Sequence, residues 1–191
     1  MLFLAEKRGQ GQVLPPNTGD TCSNVTMLDS RPFSVLSTSV KSEIRKALAP
    51  DILAFAKATG ISREDGFDLD KVRLDALQIP VNNKKNKLYI VHWGDMLFGV
   101  NGAIWIVEVN SHKGRNLIAP DEGRNRGRSF SGWGMQTLSS ENGSYPELMF
   151  ASKGYYAGGG AKADAQCVRK VGAFYKINTC PAGCDDNLNS R

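Results

Sequence analysis

Beyond residue 70 the chain is a succession of short runs rich in Val, Ile, Tyr and Trp, each closed by turn-forming residues. The runs are KVRLDALQIPV, KLYIVHW, GAIWIVEVN, SFSGWGMQTLS, PELMFASKG, AQCVRK and AFYKINTC. β-branched and aromatic residues favour the pleated chain. Runs this short, joined by turns, pair with their sequence neighbours into an antiparallel meander. Between KLYIVHW and GAIWIVEVN stands Asn101-Gly102, a pair that tolerates positive φ and so predicts a type I′ hairpin. A chain of this pattern cannot be a helical bundle, and no internal repeat argues for a propeller or solenoid.

One segment breaks the pattern. In STSVKSEIRKALAPDILAFAKATG, Val40, Ile44, Ala47 and Leu48 recur at helical spacing, and Ile52, Leu53, Phe55 and Ala56 continue the face. Ser37, Thr38 or Ser39 can cap its start, and Gly60 is a natural stop. Pro50 should kink the helix or restart it. Residues 1–36 carry GQGQVLPPNTGD and read as an irregular arm. The expected organisation is that arm followed by a single α+β domain over 37–191. It comprises an antiparallel sheet meander of about 6–8 strands with one kinked N-terminal helix packed on it. At 191 residues such a domain buries roughly 70% of its unfolded surface, enough for a real core.

The four cysteines, Cys22, Cys167, Cys180 and Cys184, point to an oxidising compartment. Three connectivities are open. The favoured one joins Cys167 to Cys180 across a terminal hairpin and Cys22 to Cys184, tying the arm to the C-terminus. Zinc would want paired Cys-x2-Cys or Cys/His knuckles, and neither histidine is near in sequence. No metal or other cofactor is therefore expected. MLFLAEKRGQ lacks the apolar run of a signal peptide, so export to the periplasm or medium is inferred from the cysteines alone. No run reaches the length of a membrane helix.

The formal charge is +5, with 24 Lys and Arg against 19 Asp and Glu. That permits an acidic partner. The basic and aromatic spacing of nucleic-acid modules is missing, so nucleic acid is not the expected one. Positive charge concentrates in KGRNLIAPDEGRNRGR, where Arg115, Arg124, Arg126 and Arg128 stand among Gly and Asn, with Trp133 nearby as an anchor. Arg forks bind carboxylates bidentately. A merely solvated loop has the same composition.

Catalytic candidates are few. His92 and Asp95 sit at the end of a strand, where Asp commonly serves a turn. His112 stands in a turn. GRSFSG lacks the Gly-x-Ser-x-Gly spacing of a nucleophile elbow, whether Ser129 or Ser131 is read as nucleophile. In EDGFDLDK, Glu64, Asp65, Asp68 and Asp70 do not follow the order of a calcium loop. Gly158 to Gly160 would need a helix directly after them to cradle a phosphate, and the β-rich tail argues against one.

The phrases KLYIVHWGDMLFGVNGAIWIVEV, SGWGMQTL, YPELMFASKG and QCVRKVGAFYKINTC, within about residues 67–180, resemble a pattern in exported, uncharacterised bacterial proteins. The resemblance implies a β-rich exported protein and carries over no catalytic residue. The expectation is a small exported, non-catalytic binding or accessory module of inhibitor or immunity type. Its partner would be another protein or an acidic component of the cell envelope, met through the arginine-rich loop. One alternative is a cell-envelope hydrolase using His92, Asp95 and Ser131. The other is an accessory subunit held in a larger assembly through its arm.

Overall fold

The computed structural model describes residues 22, 25–28, 33–58, 60, 67–83, 85–94, 102–111, 113–120, 128–138, 145–155 and 161–184. Two antiparallel five-stranded sheets and one long helix make an α+β fold. The first sheet runs β2 (Asp75–Ile79), β3 (Lys87–Trp93), β4 (Gly102–Asn110), β5 (Lys113–Asn116), and β6 (Phe130–Gly132) pairs with the other end of β4. The second runs β1 (Thr26–Met27), β7 (Gly134–Leu138), β8 (Glu147–Tyr155), β9 (Ala161–Val171), β10 (Phe174–Asn178). The meander therefore has more strands than the sequence suggests and splits into two sheets. β5 was hidden because KGRN has no β-forming side chain. It is a strand because it pairs with Val107 to Asn110 of β4.

Alternation explains the layering. On β3 and β4, Val91, Trp93 and Trp105 share one face, and Ile90, His92, Ile104 and Ile106 share the other. The helix α1 (Thr38–Ala58) covers the first face: the Phe55 ring lies 5.7 Å from Trp93 and 6.3 Å from Trp105. The second sheet covers the other face, where Phe130 stacks on Phe150 at 5.5 Å. A sheet covered on both sides must be apolar on both, so KLYIVHW and GAIWIVEV read as continuous hydrophobic runs. The segment after β5 stitches the two sheets. Tyr175 donates its N–H to Leu117 at 2.6 Å, and Ala119 donates to Tyr175 at 3.3 Å.

Strand β8 divides its side chains between two cores. Leu148 and Phe150 enter the main core, while Met149 and Ala151 turn to a smaller one with Leu138, Cys22, Cys167 and Cys184. Both disulfides lie there. Cys167 is bonded to Cys180 and Cys22 to Cys184, with Cα separations of 5.1 and 5.0 Å, in the favoured pairing. They cap the outer face of the second sheet.

Helix α1 runs without interruption through Pro50, so of the expected kink or restart the restart does not occur. Ile44, Leu48, Ile52 and Phe55 bury one face on both sides of the proline, and Pro50 itself is exposed. Continuous packing outweighs the roughly 3 kcal/mol that an interior proline costs. Leu53 faces solvent, contrary to its place in the expected apolar face. The stop is as expected: Gly60, at φ +78°, donates its N–H to the Lys57 carbonyl. At the end of the expected irregular arm, Leu28, Phe33 and Leu36 are buried in the main core.

The β3–β4 hairpin forms, but Gly102 is not a turn residue, and Asn101 lies outside the described residues. Trp93 pairs with Ala103, Gly102 already belongs to β4, and its φ is not positive. Glycine is required there for another reason. A Cβ would overlap the His92 imidazole and the Trp93 carbonyl.

Candidate functional site

The structure separates the expected hydrolase residues. His92 is 3% exposed on the face that meets the second sheet, its ring seated where Gly94 and Gly102 leave room. It lies opposite Ile104 on one side and Asp75 on the other. Ser131 is paired with Ala103, one position out of phase, and so projects from the opposite face of the same sheet. His92 and Ser131 are not brought together. Asp95 and His112 lie outside the described residues.

The arginine-rich stretch proves to be tied down at both described positions. Asp51, buried on α1, accepts hydrogen bonds from the Arg128 backbone N–H, Nε and Nη2, all at 3.2 Å. Asn116 Nδ2 donates to the same carboxylate at 2.9 Å. Arg128 thus closes a fork on the helix. Arg115 Nη2 reaches buried Glu108 at 3.4 Å. Glu108 also accepts from the Tyr145 hydroxyl. Asn86 donates to Tyr145 at 3.2 Å, and Lys170 Nζ sits 4.3 Å above its ring. Burial, then Glu108, raises the Tyr145 pKa above its ordinary value. These groups tie β4 and β5 to the second sheet. Arg124 and Arg126 lie outside the described residues. Trp133, half-buried between β6 and β7, packs beside the cysteine core.

The acidic turn has a local role. Asp68 accepts from the Asp70 N–H at 3.0 Å and pairs with Lys71 at 3.2 Å. First that hydrogen bond and then Lys71 hold its carboxyl below the usual range.

Four other cations converge on one groove. A groove of about 670 Å³ opens between the first half of α1, the short turn Phe33–Val35 and the segment 71–75 that enters β2. Lys41, Arg45, Lys71 and Arg73 line it, and Asp75 is the one carboxylate among the lining residues. Lys41 and Arg45 lie one helical turn apart on α1. Phe33, Val72 and Leu74 form an apolar floor, and Ser34, Thr38 and Ser42 add hydroxyls. Arg45 is held in place: it donates to the carbonyls of Leu69 and Val72 at 3.0 Å, and its guanidinium lies 5.5 Å from the Phe33 ring centroid. Among the described residues Arg73 makes no ion pair. This volume is in the range of ligand clefts, roughly 300–1,000 Å³. The sequence concealed the groove because its cations come from two segments, about thirty residues apart, that contain no basic run.

The cysteine core brings the Sγ atoms of Cys167, Cys180 and Cys184 within 4.8 Å of one another. All are in disulfides, and a disulfide sulfur is not the thiolate that a metal needs. No family model, curated protein or solved structure matches this chain.

Proposed function

We propose that the protein is a non-catalytic binding module of the periplasm or the medium that holds an acidic partner in the α1 groove. The observation that carries this reading is the convergence of Lys41, Arg45, Lys71 and Arg73 around one apolar floor with a single carboxylate. Such a surface attracts anions and raises their local concentration. The partner is a protein with an acidic face or an anionic component of the envelope. The two disulfides support action outside the cytoplasm, and no described helix is long and apolar enough to cross a membrane. The arginine-rich segment remains a second candidate contact through Arg124 and Arg126. Arg128 and Arg115 serve it as anchors.

Binding to poly-L-glutamate and to a sulfated polysaccharide, followed at low salt, tests the groove. The Lys41→Glu/Arg73→Glu variant should bind at least one of them about tenfold more weakly, a loss of about 1.4 kcal/mol. Arg124→Glu/Arg126→Glu should leave that binding within about twofold. Unchanged binding by the groove variant, or no binding of either polymer by the wild type, would overturn the assignment.

A further inference from the structure

The two disulfides are close enough to react with each other, and their burial differs. Cys22, Cys167 and Cys184 are 1, 2 and 3% exposed, whereas Cys180 is only half-buried, in the Cys-Pro-Ala-Gly-Cys turn. Of the four cysteines, Cys180 is therefore the most open to an external thiolate. Cys167, which would leave when Cys180 is attacked, lies within 4.8 Å of Cys184. It belongs to a small apolar cluster with Met149, Ala151 and Leu138. An unsolvated buried thiolate is a high-energy species, which favours its consumption by the adjacent disulfide.

We infer that the cysteine core is a thiol–disulfide exchange site in which Cys180 is the point of attack and Cys22 the group finally released. In the first step a thiolate RS⁻ bonds to Cys180 Sγ. The Cys167–Cys180 bond breaks, and its electron pair leaves on Cys167. In the second step Cys167 Sγ bonds to Cys184 Sγ. The Cys184–Cys22 bond breaks, and Cys22 leaves as thiolate and takes a proton. With a dithiol reagent, its second thiol resolves the mixed disulfide at Cys180 and departs as a cyclic disulfide. The net change is two-electron reduction, with one non-native bridge, Cys167–Cys184, and free thiols at Cys22 and Cys180. The consequence is mechanical, since the Cys22–Cys184 bond spans 162 residues and clasps the N-terminal segment to the C-terminal one. Besides that bond, this segment is held by the two-residue pairing of β1 with β7, by Leu28 N–H to the Trp133 carbonyl at 3.1 Å and by the burial of Leu28 in the main core. Exchange at Cys180 loosens that edge of the second sheet.

The test uses the oxidised full chain. One equivalent of dithiothreitol is added, the reaction is quenched in acid, thiols are alkylated and the bridges are mapped by mass spectrometry under non-reducing conditions. The expected major two-electron species carries Cys167–Cys184 with alkyl groups on Cys22 and Cys180. If that species instead keeps Cys22–Cys184 intact, the bridges are independent and the relay is refuted. If it keeps Cys167–Cys180, attack at Cys180 is refuted. The Cys180→Ser variant gives a second readout without reductant. Its lone Cys167 should exchange and leave a Cys167–Cys184 bridge with a free thiol at Cys22. A purely native Cys22–Cys184 bridge with the free thiol at Cys167 overturns the inference. In Cys167→Ser/Cys180→Ser, with the fold checked by circular dichroism, Cys22–Cys184 should resist the same reagent at least tenfold longer.

Discussion

The stretch from Lys113 to Arg128 and the groove beside α1 are both basic, yet their charges do different work. In the first, both described arginines of the expected contact meet buried carboxylates: Arg128 on Asp51 and Arg115 on Glu108. In the second, Lys41 and Arg73 have no ion pair among the described residues, and Lys71 meets only exposed Asp68. A cation that neutralises a buried acid holds the fold and is not available to a partner. Density of charge along the chain is thus a poor guide to recognition, because it does not say which charges are consumed internally.

The sharpest way to break this contrast is Arg128→Ala. Removing one partner of a largely buried pair should cost about 3 kcal/mol in chemical denaturation, since Asp51 keeps only Asn116 and a backbone N–H. A cost under about 0.5 kcal/mol would make Arg128 a free surface charge after all. Arg45→Met should follow at about 2 kcal/mol, because two carbonyls lose a charged donor. Arg45 belongs to both classes: it holds the fold and lends its charge to the groove.

Smaller effects come from the tie around Glu108. Arg115→Ala should cost about 1 kcal/mol, since Arg115 is half exposed and Tyr145 still donates to Glu108. Tyr175→Phe should also cost about 1 kcal/mol at neutral pH through loss of its 2.9 Å hydrogen bond to the Pro146 carbonyl. Burial raises the Tyr175 pKa well above its ordinary value of 10. The unfolded chain therefore loses the Tyr175 proton before the folded one does. The contribution is fully present below about pH 10 and is lost as pH rises from there toward the folded value. Alkaline unfolding, followed by phenolate absorbance together with circular dichroism, should begin at higher pH in Tyr175→Phe. Coincident profiles would remove Tyr175 from the account. Smallest of all, Lys41→Glu/Arg73→Glu should change stability by less than about 0.5 kcal/mol. A larger loss would place these cations with Arg128, and the contrast would disappear.

Much of the fold was legible because it is written in local period. KLYIVHW and GAIWIVEVN become β3 and β4 with the bounds of the runs themselves. Gly60 ends the helix through its own backbone freedom. The favoured disulfide pairing, one of three open, assumed a terminal hairpin that β9 and β10 do form around Gly172. Asn101-Gly102 misled because the glycine answers a space requirement set by His92, which local turn chemistry does not contain. The site was less legible. The groove joins residues 33–45 to 71–75, and no window of sequence holds both.

By itself the sequence determined the class: which runs pleat, which one coils, where the helix stops, and that four cysteines can staple the ends. These depend on period, backbone freedom and side-chain shape, which act over a few neighbouring residues. Only the tertiary structure decided which charges are spent and which remain. Asp51 and Arg128 are 77 positions apart, and Glu108 meets Tyr145 across 37. Their pairing depends on burial and on which face of which sheet each occupies. Those are properties of the packed layers, and they carry the function proposed for the groove.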